Sequence, residues 1–80
     1  MADNKAGAIV EINHTAAKFE SSIVLKVDNK HVDVKSILGL SVTLHKNETY
    51  KLEIHGPDEA AAKTAMLEVF FKNGFHIEIV

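Results

Sequence analysis

An α+β fold, one sheet with its helices laid on one face, is what the 80 residues predict. Three features carry that expectation. Residues 49–55 alternate strictly, Tyr50, Leu52 and Ile54 against Lys51, Glu53 and His55, which is the period of a half-buried strand. Residues 60–73 instead place Ala62, Ala65, Met66, Val69 and Phe70 on one helical face. The apolar share is 46% with no Cys, enough for a packed core that stands without disulfides.

In chain order, residues 6–12 read as the first strand, with Ala8, Val10 and Ile12 alternating against Ile9 and Glu11. Asn13-His14-Thr15 breaks the alternation, and residues 16–20 favour one to two turns of helix ended by Ser21-Ser22. Residues 23–27 and 31–34 form a hairpin across Asp28-Asn29-Lys30, a turn of residues that bond their own main chain. Ser36 then opens a short helix over residues 36–42. Its hydroxyl can accept from a first-turn N–H that has no helical partner, and that helix end tolerates a phosphoryl group. Lys46-Asn47-Glu48 turns into the strand at 49–55. Gly56-Pro57-Asp58-Glu59 starts the long helix, and Asn73-Gly74 stops it. Residues 75–80 alternate again as a short fifth strand.

Composition narrows the function classes. Residues 1–80 make one domain. A net charge of −2 gives no electrostatic case for nucleic acid or an anionic membrane, and the start MADNKAGAIVEI has no apolar run of signal-peptide or membrane-spanning length. The lack of Cys suits a reducing cytoplasm. Five His, at positions 14, 31, 45, 55 and 76, show none of the paired spacings of zinc sites, so no metal and no cofactor is expected. No Ser-His-Asp order, paired-carboxylate pocket or Gly-rich phosphate loop marks an enzyme.

Several segments carry a family resemblance: the Asp28-Asn29-Lys30 turn, Val32-Asp33-Val34-Lys35-Ser36-Ile37-Leu38-Gly39-Leu40, the Asn47-Glu48 turn, and Gly56 followed by Asp58-Glu59. In this order and spacing, across residues 23–74, the chain resembles the HPr phosphocarriers of the bacterial sugar phosphotransferase system. The resemblance implies an open-faced sandwich, a four-stranded antiparallel sheet covered on one side by helices. It implies a cytoplasmic phosphoryl carrier that is not an enzyme. In the family a Gly-Leu-His-Ala-Arg-Pro-Ala run opens the first helix and its His accepts the phosphoryl group. Here Glu11-Ile12-Asn13-His14-Thr15-Ala16-Ala17 offers His14 as the candidate phosphohistidine, without the Gly, Arg and Pro and ahead of a truncated first helix. The resemblance further makes Ser36 a regulatory phosphorylation site, with Ile37, Leu38 and Leu40 read by an HPr kinase.

Two function classes follow. One is a phosphocarrier, or a regulatory paralogue of one, whose partners are phosphotransferase-system proteins or an HPr kinase. The other is an HPr-fold interaction module without phosphotransfer. With the first helix short, residues 75–80 are the spare element. They fold back as an extra C-terminal strand, or pair with a second chain through an open sheet edge; a homodimer in which the first strand or this tail contributes to the contact is expected, and a monomer with loops closed over the gap is the other outcome.

Overall fold

A computed structural model describes residues 5–44 and 49–80. The elements are α1 (Lys5–Ala16), β1 (Ser22–Val27), β2 (Lys30–Asp33), α2 (Ile37–Thr43), β3 (Thr49–His55), α3 (Glu59–Lys72) and β4 (His76–Ile79). One sheet in the order β2-β1-β3-β4 carries the helices on a single face, the α+β open-faced sandwich that the resemblance implies. Among the described residues no helix is long and apolar enough to cross a membrane.

Two expected details are corrected. Residues 6–12 are not a strand. They lie in α1, which is 12 residues long, so the first helix is not truncated. The alternation of Ala8, Val10 and Ile12 was a short-window coincidence. The residues α1 buries are Ala8, Ile9, Ile12 and Ala16, a helical stripe, and Val10 points outward at 54% exposure. β-branched residues cost a helix only a few tenths of a kcal/mol each, well below the gain from burying an Ile side chain.

The second correction concerns the sheet, which is mixed rather than wholly antiparallel. β1 pairs antiparallel with both β2 and β3, whereas β4 runs parallel to β3. The cause is α3. A helix of 14 residues rises about 21 Å, close to the roughly 23 Å length of β3, so it returns the chain to where β3 began. A strand that follows such a crossover must be parallel. β4 is therefore the fourth strand of the sheet within this chain, and it carries Phe75 into the core beside Tyr50 and Phe70, ring centroids 6.5 and 6.2 Å apart.

The long helix packs as its periodicity predicts, burying Ala62, Met66, Val69 and Phe70. Gly74 ends it at φ 85°, the left-handed cap, with the Phe75 N–H on the Phe70 carbonyl at 2.9 Å. Its start departs from a plain acidic first turn. The Asp58 carboxylate turns back to accept from the Glu20 N–H at 2.9 Å, the Ser21 N–H at 3.0 Å and the Ser21 hydroxyl. Those bonds, the Ser21 hydroxyl first, hold its carboxyl below the usual range. Gly56 makes this closure possible: at φ 152°, a Cβ there would lie 2.6 Å from the Ser21 Cα.

Candidate functional site

The Ser36 junction is assembled from β2, α1 and α2. Asp33 ends β2, and its Oδ1 accepts from the Lys35 N–H at 2.9 Å while its carbonyl accepts from the Ser36 N–H at 2.9 Å. Together these bonds fold residues 33–36 into a tight turn, as Asp does when it bonds main chain two residues on. Ser36 stays extended at φ −94° and ψ 110°, and its Oγ accepts from the Gly39 N–H at 3.2 Å. It is the N-cap of α2, as the sequence predicts, with its own side chain exposed. Gly39 contributes by having no side chain: a Cβ would sit 2.9 Å from the Val32 Cγ1, so α2 closes tightly on β2.

The residues before Ser36 are clamped from the other side. Asn13 Nδ2 donates to the Lys35 carbonyl at 2.8 Å and the Val34 carbonyl at 3.3 Å, and Lys35 Nζ donates to the Phe19 carbonyl at 2.7 Å. The end of α1 and the turn after it therefore fasten the junction, while the Ser36 side chain stays exposed. No short-range signal points to Asn13 or Lys35 as partners, because they lie 22 residues apart.

Beside Ser36, Ile37, Leu38 and Val42 are exposed, Leu38 at 77% and Val42 at 78%. Leu40 is not part of that surface: it is fully buried in the core. At about 100° per residue, Leu38 and Leu40 stand on nearly opposite sides of a helix, so they cannot share a face. Val42, four residues after Leu38, is the neighbour on the outside, a spacing that was readable in the sequence. Ile37 borders a shallow groove of 350 Å³ between α1 and α2, shared with Ile9 and Val10.

His14 is far from such an arrangement. It lies exposed in the last turn of α1, on a shallow groove of 570 Å³ along that helix. This is the carbonyl end, whose partial negative charge favours cations over a phosphoryl group. The start of α1, where the family motif would place its acceptor, holds Lys5-Ala6-Gly7-Ala8 and has no His, Arg or Pro. Glu11 on the same helix pairs with Lys72 at 2.7 Å and with Asn73 at 3.2 Å. Those bonds, the Lys72 one first, hold its carboxyl below the usual range and fasten α1 to α3. His31, His55 and His76 are exposed on the outer face of the sheet, and His45 lies outside the described residues.

Comparison with known proteins bears on the same stretch. Residues 4–72 match the family model described as PTS HPr component, phosphorylation site. The phosphocarrier protein HPr of Treponema pallidum (strain Nichols) is 37% identical over 68 residues, which are 84% of this chain and 76% of that protein. The crystal structure of an HPr dimer from Thermoanaerobacter tengcongensis superposes with a TM-score of 0.76 at 33% identity, over 81% of this chain and 76% of that one. Crh of Bacillus subtilis, described as a catabolite repression protein whose dimer swaps a domain, superposes with a TM-score of 0.73 at 29% identity, over 80% and 75% of the two chains. The chain belongs to the HPr family, the phosphocarrier proteins of the phosphotransferase system. Members of that family carry a phosphoryl group and are not enzymes, and regulatory paralogues such as Crh stand among its structural neighbours.

Proposed function

We propose that this chain is a regulatory member of the family that carries its phosphoryl group on Ser36 rather than on a histidine. The contrast between two helix starts supports this most. α1 opens on Lys5-Ala6-Gly7-Ala8, which offers no acceptor, whereas α2 opens on the exposed Ser36 hydroxyl. His14, the other candidate acceptor, sits at the wrong helix end for an anion. A phosphoryl group on Ser36 Oγ would face the first-turn N–H groups of α2, which have no helical partners. In the transfer, Oγ attacks the γ-phosphorus of ATP, ADP leaves, and the hydroxyl proton passes to the kinase's base.

Ile37, Leu38 and Val42 give an HPr kinase, or a target in the phosphotransferase system, the apolar contact by which to read the site. Self-association belongs to the same reading, since the T. tengcongensis HPr and Crh are each described as dimers. The test is incubation with ATP and an HPr kinase that modifies a control HPr. One acid-stable phosphate on Ser36 is expected, with none in Ser36→Ala and strongly reduced incorporation in folded Leu38→Asp. Phosphate elsewhere, or none at all, removes the reading.

A further inference from the structure

β4 is the outer strand of the sheet, and its main-chain phase is fixed by one bond, the Val80 N–H on the Leu52 carbonyl at 2.9 Å. Main-chain groups alternate sides along a strand. Residues 76, 78 and 80 therefore turn theirs to β3, while Ile77 and Ile79 turn theirs to the edge, where no strand pairs among the described residues. We propose that two copies of the chain join at this edge, β4 antiparallel to β4 about a two-fold axis through Ile77, into one continuous sheet. The proposal rests on the self-association stated above and names its contact.

Charge selects the register. Partners in an antiparallel pair share a face, so Ile77 and Ile79 must meet inward residues and His76 and Glu78 outward ones. Two registers centred on the strand satisfy this. With the axis at Glu78, the two carboxylates stand directly opposed. With the axis at Ile77, His76 of each copy faces Glu78 of the other, and Ile77 meets Ile77 with reciprocal N–H and C=O bonds. Lys51 on β3 is aligned with Glu78. The outward row then alternates Lys51, Glu78 and the other copy's His76, a strip complementary to itself.

The helix layer supplies apolar area at the same place. Lys72 and Asn73 mark the flank of α3 that faces α1, through their bonds to Glu11. By helical phase Leu67, 44% exposed, projects from the opposite flank. A two-fold at Ile77 turns this flank of each copy toward the other. β2, the other edge, is instead flanked by the charges of Lys30 and Asp33, a usual guard against edge pairing. β4 also lies beyond residue 72, where the family match ends, so this surface belongs to this chain rather than to the matched segment.

Sedimentation velocity of the full chain from micromolar to millimolar concentration tests this. A dimer is expected. Ile77→Pro removes an edge-facing N–H but no bond to β3, and His76→Glu sets two carboxylates against each other. Each should weaken association roughly tenfold or more with circular dichroism unchanged. The exchanged pair His76→Glu with Glu78→His should restore it. A dimer that neither single variant moves overturns this interface and leaves self-association standing. A full-length monomer at millimolar concentration overturns both.

Discussion

α1 and α2 both begin where a phosphoryl group could be received, and they begin differently. α2 opens on Ser36, whose hydroxyl caps the helix and still reaches solvent, on a turn clamped by Asn13 and Lys35. α1 opens on a Lys, two Ala and a Gly, and its only His lies at the far end. α1 has the packing role of a first helix, burying Ile12 and Ala16 and fastening Glu11 to α3. On the function proposed above, α1 serves as a wall of the core and the start of α2 as the site.

The largest effect that could break this comparison is in α1 itself. Ile12→Ala should destabilise by about 2–5 kcal/mol, whereas Val10→Ala should stay within about 0.5 kcal/mol. Chemical denaturation separates them, and equal costs would mean that both residues face inward, as in a strand. Asn13→Ala should cost about 1–3 kcal/mol by stripping the Lys35 and Val34 carbonyls of a donor. Amide exchange at Ser36 should rise with it; unchanged exchange would show that α1 does not hold the junction. Ser36→Ala should cost about 1 kcal/mol through loss of the cap, and Ser36→Asp should retain most of the stability. An unmoved melting midpoint in Ser36→Ala would contradict the capping role.

Those costs also mark what could be read from sequence. The cap at Ser36, the strand at Thr49–His55, the buried face of α3 and its stop at Gly74 all rest on contacts within a few residues, so local pattern and tertiary packing agree. Residues 6–12 satisfy a strand period as well as a helical one over so short a window. What decides is the stripe continuing to Ala16 and the presence of β4, which leaves no need for an N-terminal strand. The parallel direction of β4 follows from the length of α3, a geometric constraint that an antiparallel family pattern concealed. Leu40 differs for a simpler reason: Ile37, Leu38 and Leu40 are one apolar group in sequence, but helical phase turns Leu40 inward and Leu38 outward.

The smallest expected effect is that of pH. Asp58 titrates below its unfolded value because Ser21 and Glu20 bond its charged form. Its contribution is present above the unfolded carboxyl range, near pH 4, and is lost as pH falls through the lowered folded value. Asp58→Asn should flatten the acid limb of a stability profile, and an unchanged limb would show that the loop closure does not depend on the charge.

The most direct measurement of the contrast between the two helix starts is intact-mass analysis after incubation with phosphoenolpyruvate and the general phosphotransferase enzyme. A control HPr acquires acid-labile phosphate under these conditions. This chain should acquire none, while ATP and an HPr kinase should add one acid-stable phosphate at Ser36. An acid-labile phosphate that disappears in His14→Gln would place the phosphoryl chemistry on α1 and contradict the account.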